Sequence, residues 1–338
     1  MTIGQAADLV DLSIQKVWLK GTVEDREFYT KFCNVTKGVT DYYMKDTSLS
    51  GLGSASRVTE SATIVAEAPV QGFDQTFTQV LYGKLMSFSW HMWKFGIKKR
   101  DLARVVNEIK RACITRREEL LHERLDAAGL QSYTTSDDSG NYSVTTTGGD
   151  ALELRSASHT REDGGTAWSN VIGDGTTSNM NLDYPGLKGM LRVAALVKTP
   201  KGKPMPMRPN RIVVKEGSTA HFRAAEIKGA LKAGKIPGEF SNDGAALGDF
   251  ELIATPYLLG TGDATSTTNL SSATNWHGFD TRYISDEYGL QYFESQPIQL
   301  DEQNLVYKTK EIQYTGTLAF ACGHNDPRGS FSSEGDNS

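Results

Sequence analysis

The sequence predicts an α+β protein, and three observations predict this class. Residues 47–90 are rich in Ser, Thr, Val and Gly and partly alternate between apolar and polar side chains, as β-strands do. Residues 98–128 carry one long helical pattern, and alternating strand patterns return at 304–324. With 338 residues and a hydrophobic content of 38%, the chain can bury a substantial core spread over more than one domain.

Residues 1–90 divide into an arm and a ribbon. In the arm, residues 1–46, the side chains of Leu9, Leu12 and Trp18 suggest an amphipathic helix or turn. Residues 47–90 are expected to form a long two-stranded β-ribbon whose tip is the turn at Pro69–Gly72. Since an isolated two-stranded ribbon is marginal in water, we expect it to lean on another subunit, and deletion of residues 60–78 to leave a folded protein.

The helix predicted over 98–128 is unusually long, about 46 Å at 1.5 Å per residue. Its apolar stripe is expected to pack on a sheet formed by residues near 130–178 and 303–322, with Ile109 and Leu121 buried. Arg116 and Arg117 lie in a gap of the stripe, so at least one of them is expected to face solvent or a neighbouring subunit.

The rest of the chain is predicted to contain loops, one compact strand-helix-strand unit and further strands near the C-terminus. Short strands are predicted at 142–147 and 151–156, and a helix begins at Pro185 and ends before Pro200. A strand at 210–215, a helix capped by Ser218 or Thr219 and a strand at 249–254 form a strand-helix-strand unit. The tail, 326–338, is expected to be mobile.

Patterns that would indicate enzyme chemistry are incomplete. The stretch "GALKAGKI" (229–236) approaches a phosphate-binding loop, but Ile236 replaces the hydroxyl that binds magnesium and the glycines fall inside and at the end of a helix. In "HERLD" (122–126), Asp126 stands where a zinc site needs its second His. The glycine patterns at 173–178 and 260–265 are partial, and no G-x-S-x-G is present. We therefore predict no catalytic, metal-binding or cofactor-binding residue.

Composition excludes several classes of protein. The net charge of −5 argues against a general nucleic-acid binder. Cys33, Cys113 and Cys322 are far apart and odd in number, which argues against a disulfide framework and fits a reducing compartment. The N-terminus lacks the basic start and apolar core of a signal peptide, and no apolar run approaches membrane-spanning length.

The order of the elements, together with short motifs, resembles the major capsid proteins of tailed phages, which have the Hong Kong 97-like fold; the Mu-like head subunits are the type suggested. The motifs are "SHTREDGGTAWSN" (158–170), "NLDYPGLKGML" (181–191), "TPKGKPMPMRPNRIVVKEG" (199–217), "GEFSNDGAALGDFELIATPYL" (238–258), "TNWHGFD" (274–280) and "CGHNDPRGSF" (322–331). Each is weak alone, and their order along nearly the whole chain carries the resemblance.

The resemblance implies a self-assembling shell subunit. Residues 1–46 would be the N-terminal arm, 47–90 the extended loop over a neighbouring subunit, and 98–128 the spine helix of a peripheral domain formed by 91–178 and 300–325. Residues 179–299 would form the axial domain at the centres of homo-pentamers and homo-hexamers. The candidate subunit contacts are Pro69, Val70, Gln71, Gly72, Phe73, Arg116 and Arg117.

The resemblance also implies partners and a location. The shell would form in the host cytoplasm, belong to the virion and enclose double-stranded DNA through non-specific contacts. A portal protein is implied, with decoration proteins as a further partner. The arm begins at residue 1, so a scaffold would be a separate protein unless the chain is already matured. Two alternatives stay open. A neighbouring cargo-enzyme gene would favour an encapsulin-type cellular compartment, and a single site of convergent polar groups would favour an α/β enzyme.

Overall fold

The computed structural model describes residue 18, residues 27–89 except 53, 56, 59–63 and 65, and residues 99–232, 249–258, 274–301, 304–306 and 311–335. The helices are α1 (Lys99–Asp126), α2 (Tyr184–Leu196), α3 (Thr219–Lys232) and α4 (Thr281–Ser285). The strands are β1 (Cys33–Lys37), β2 (Tyr43–Ser50), β3 (Val70–Thr78), β4 (Val80–Ser89), β5 (Ser132–Asp137), β6 (Gly140–Thr145), β7 (Arg211–Lys215), β8 (Glu251–Thr255), β9 (Trp276–Phe279), β10 (Leu290–Leu300), β11 (Asn304–Val306), β12 (Glu311–His324) and β13 (Ser330–Ser333). The predicted α+β class is confirmed.

A five-stranded sheet is centred on β12, which pairs with β10, β11 and β4, while β1 runs parallel to β10. Alternate residues of β12 face α1, so Ile312, Tyr314 and Leu318 are buried between sheet and helix. Gly316 lies between them, where a Cβ atom would clash with the Ile109 side chain. The long helix can therefore approach the sheet closely only because this position is glycine.

The sheet takes strands from outside the predicted peripheral range. Strand β1 belongs to the predicted arm, and β10 lies almost wholly within the predicted axial range, yet both complete the sheet beneath α1. The five-stranded sheet therefore crosses the predicted domain limits at 46 and 299. The cause is non-local pairing: Cys33 is paired with Leu290, and no local pattern connects two segments so far apart. Of residues 1–26, only Trp18 lies in the described part, where it packs against the cluster of Ile109 and Val106.

A second, four-stranded sheet has the order β13-β9-β7-β8. Strands β7 and β8 are parallel and joined through α3, which confirms the predicted strand-helix-strand unit. Ser218 caps α3 by accepting a hydrogen bond from the amide of His221 at 3.1 Å, and Asp183 caps α2 in the same way through Gly186. Trp276 is fully buried in this unit, and its indole N–H donates to the carbonyl of Met180.

The C-terminal tail is part of the second core, so its predicted mobility is wrong for residues 326–335. Strand β13 is buried along its whole length and pairs with β9. Arg328 is 2% exposed, forms an ion pair with Asp326 and lies 5.5 Å from the ring centre of Trp168. The polar side chains of the tail suggested that it is exposed to solvent. Instead, the hydroxyls of Ser330 and Ser332 form hydrogen bonds within the protein.

The strand predicted at 151–156 does not form, whereas 142–147 is largely β6. Ala151 has a φ of 60°, and the Asp150 carboxylate accepts a hydrogen bond from the amide of Leu152. A left-handed residue beside an Asp turn interrupts an extended chain, so this segment turns back towards the end of α1 instead.

We expect Ile109→Ala to lower the free energy of unfolding by about 2–5 kcal/mol, because Ile109 is 3% exposed in the α1–sheet interface. Equilibrium urea unfolding measures this loss. Leu85→Ala is the matched control: Leu85 is 54% exposed, and its variant should unfold like the wild type. Equal losses in the two variants would show that the sheet is not packed on α1 as described.

Candidate assembly surfaces

The ribbon is formed by β2 and β3, paired from Tyr43↔Thr78 to Ser50↔Val70. The connection between the two strands is therefore residues 51–69, and the predicted tip at Pro69–Gly72 is wrong. Proline is accepted at the first residue of a strand as well as in turns, and here Pro69 directly precedes β3. The second half of the predicted ribbon, β4, is not ribbon at all, because it pairs with β12 over ten residue pairs.

The root of the ribbon is anchored in the body. Phe77 is 4% exposed and packs with Val39 and Phe293. The side-chain amide of Asn325 donates to the backbone carbonyls of Asp46 and Phe73, one on each strand. These contacts fix the point at which the ribbon leaves the body of the subunit. None of them involves the connection between the two ribbon strands, residues 51–69.

The residues predicted as ribbon contacts differ in exposure. Pro69 and Gln71 are exposed, whereas Gly72 and Phe73 are half-buried against their own chain. A Cβ atom at Gly72 would meet the side-chain ends of Glu162 and Ser48, so glycine lets these two side chains come close to β3. Val70, between Pro69 and Gln71, is the first residue of β3 and pairs with Ser50. Pro69 and Gln71 are thus exposed in the single subunit, and contact of these five residues with a neighbouring subunit stays a prediction.

Large exposed apolar side chains are concentrated on the ribbon and on β4, a concentration that the sequence patterns did not reveal. Of the twelve that are 39% exposed or more in the described part of the chain, nine lie between residues 42 and 85. They are Tyr42, Tyr43, Leu49, Leu52, Val58, Ile64, Val80, Leu81 and Leu85. We call these nine residues the apolar ribbon surface. Such a concentration in one segment is typical of a protein–protein interaction site rather than of scattered surface residues.

Arg116 and Arg117 both contact other segments of their own subunit. Arg117 is 3% exposed; its guanidinium lies 4.6 Å from the ring centre of Tyr29 and 3.8 Å from the Glu27 carboxylate. Arg116 is 17% exposed and donates to the Tyr142 hydroxyl at 2.7 Å. The gap in the apolar stripe is thus filled by segments that the helical pattern does not reveal, namely residues 27–29 and the β5–β6 hairpin.

Arg117→Ala is therefore expected to destabilise the subunit by roughly 2 kcal/mol, because a desolvated cation–π contact and an ion pair are lost together. Thermal and urea unfolding measure the change. Arg111→Ala on the same helix is the control, since Arg111 is 60% exposed and should matter by less than about 0.5 kcal/mol. If the two arginine variants unfold alike, Arg117 does not hold α1 to residues 27–29.

The incomplete enzyme motifs have structural roles where the structure describes them. Gly229 lies inside α3, so it cannot open a phosphate loop; residues 234–236 lie outside the described residues, as does the glycine pattern at 260–265. The pattern at 173–178 is a turn in which Asp174 accepts from the amides of Thr176 and Thr177. No group of three potential metal-ligating residues occurs in the described part of the chain. None of the described helices could cross a membrane.

Of the four buried histidines in the described part of the chain, His122, His277 and His324 lie in or between the two sheets. The ring of His122 donates from Nδ1 to the Glu118 carbonyl (2.7 Å), so its Nε2 accepts from the hydroxyl of Thr255 on β8 (3.0 Å). His277 bonds the Ser332 hydroxyl, and His324 ends β12. Burial lowers the pKa of His122 to about 4, while burial and nearby arginines lower the pKa values of His277 and His324 to about 3.

No protein-family model and no curated protein matches the chain. Solved structures do match. They include the capsid of cyanophage P-SCSP1u (11% identity, TM-score 0.49, 90% of this chain and 87% of that one) and the capsid of the myovirus XM1 (10%, 0.42, 88% and 86%). A third is the procapsid of bacteriophage JBD30 (12%, 0.47, 100% and 77%). These are phage capsid structures, the class that the sequence motifs resemble; they do not distinguish the Mu-like type. Identities and TM-scores of this size do not by themselves assign a function.

Proposed function

We propose that this chain is the major capsid subunit of a tailed phage. It assembles into pentamers and hexamers, and these close into an icosahedral head that encloses double-stranded DNA in the virion. The apolar ribbon surface carries the proposal, because it leaves nine large apolar side chains exposed on one segment of a single subunit. A second copy of the chain would cover them, as the order of sequence motifs suggests.

The two sheets support a division of the subunit into two domains with different roles. The sheet around β12, with α1 across it, is proposed as the peripheral domain, and the sheet around β7 with α2 and α3 as the axial domain. We assign residues 27–37 and 290–301 to the peripheral side and β13 to the axial side, following the observed pairing. The axial domain would meet its copies at five-fold and six-fold centres.

The proposed role is structural, with no catalytic residue and no cofactor. A portal protein, a separate scaffolding protein and decoration proteins are the partners proposed for assembly in the host cytoplasm. DNA would be held by non-specific contacts, in keeping with a net charge of −5 that does not favour tight binding to nucleic acid.

Sedimentation velocity of the concentrated protein, with and without the scaffolding partner, tests the proposal. We expect discrete species of five or six subunits, or closed shells. A protein that stays strictly monomeric in both conditions would contradict it. Nuclease-protected double-stranded DNA inside particles recovered from infected cells is expected; an enclosed enzyme instead would favour the encapsulin-type compartment.

A further inference from the structure

Beyond its root, the ribbon contacts its own subunit at two more points. On β2, the Ser48 hydroxyl donates to the Glu162 carboxylate, beside the position where Gly72 permits close approach. At the end of the ribbon connection, the Glu67 carboxylate lies 3.2 Å from the ammonium group of Lys201. Ser48 and Glu67 are 19 positions apart in sequence; Ser48 precedes the connection 51–69, and Glu67 lies near the C-terminal end of that connection.

Both contacts reach one surface of the body. Lys201 lies in a tight turn in which the amide of Thr199 donates to the carbonyl of Lys203 and the amide of Gly202 donates to that of Thr199. Gly202 in turn lies against the side chain of Arg161, which pairs with Asp163 in the loop that also carries Glu162. The loop at 161–165 and the turn at 199–203 therefore form one surface that the ribbon contacts. We call this surface the seat.

We propose that this seat is a latch that holds the ribbon down on its own subunit before assembly. Glu67 is 43% and Lys201 25% exposed, so their ion pair is weak, screened by salt and easily replaced. The apolar ribbon surface stays outward while the latch is closed. Release of Glu67 lets the connection extend from the fixed root at Phe77 towards a neighbour. The consequence for assembly rests on the proposed function; the latch itself is a property of the single subunit.

Limited trypsin digestion of the full-length subunit tests the latch. Arg57 is exposed and is the only Lys or Arg between Lys45 and Lys84, so cleavage after it reports on the connection and yields fragments 1–57 and 58–338. We expect Lys201→Glu to speed this cleavage about two- to fivefold, the range available to an exposed ion pair. The double exchange Glu67→Lys with Lys201→Glu should restore the wild-type rate.

Lys203→Glu is the matched control, since it makes the same charge change at an exposed residue of the same turn, two positions from Lys201. It should cleave like the wild type, and all variants should melt alike. An unchanged rate in Lys201→Glu, or an equal acceleration in Lys203→Glu, would overturn the latch. If the latch is confirmed while the wild-type protein never assembles, the proposed capsid function fails and the latch remains.

Discussion

Replacing residues 52–68 with a Gly-Ser linker of equal length should give a subunit that folds normally but cannot close shells. The exchange removes the apolar side chains of Leu52, Val58 and Ile64 and leaves both ribbon strands in place. The root stays anchored because Phe77 and the Asn325 hydrogen bonds are untouched. Thermal melting should therefore be unchanged, while electron microscopy should show open or absent particles where the wild type closes.

Two further variants sharpen this result. Leu49→Glu introduces a charge on the apolar ribbon surface at a residue that is 65% exposed, so it should block closure without affecting folding. Deletion of residues 60–78 should instead unfold the subunit, because it removes β3 and the buried Phe77; the sequence alone suggested the opposite outcome. Normal shells from the linker variant would show that the ribbon connection takes no part in assembly.

Acidification from pH 7 to pH 5 should lower the free energy of unfolding by about 6 kcal/mol. His122, His277 and His324 stay neutral in the folded chain because burial depresses their pKa values, but they take up protons on unfolding below pH 6.5. Stability is thus present above the unfolded pKa and is lost as the pH falls. Each histidine contributes about 1.36 kcal/mol per pH unit between 6.5 and 5, or about 2 kcal/mol.

Urea unfolding at pH 7, 6 and 5 measures this dependence. Glu123, whose pKa burial raises, acts in the opposite direction and reduces the loss. His277→Gln removes one of the three proton-uptake sites, so its stability should depend less steeply on pH than that of the wild type. Equal unfolding free energies at pH 7 and pH 5 would show that these histidines are not neutral and buried.

The elements that the sequence predicted well are those with local signals. The stripe of Ile109, Leu121 and Leu125 marks α1, and apolar runs flanking a capped helix mark the β7-α3-β8 unit. The pairing of β1 with β10 and the return of β13 to β9 depend on residues distant in sequence. A polar stretch such as Ser330–Ser333 is buried only because the fold provides partners for its hydroxyls, and composition does not reveal those partners.

The ribbon itself was predicted in part. A ribbon was expected from residues 47–90, with its tip at Pro69–Gly72. Proline and glycine are common in turns, but proline also occurs at the start of an edge strand, so the residue types alone do not distinguish the two. The two arginines of α1 were expected outside because a gap in an apolar stripe usually faces solvent. Tyr29 and Tyr142 come from other segments and cover that gap.

Cryo-electron microscopy of the purified wild-type protein shows what covers the ribbon in the assembled state. We expect closed shells of pentamers and hexamers in which residues 51–69 of each subunit lie against the adjacent subunit and the apolar ribbon surface is covered. A map in which the ribbon contacts only its own subunit, or a protein seen only as single subunits, would contradict it.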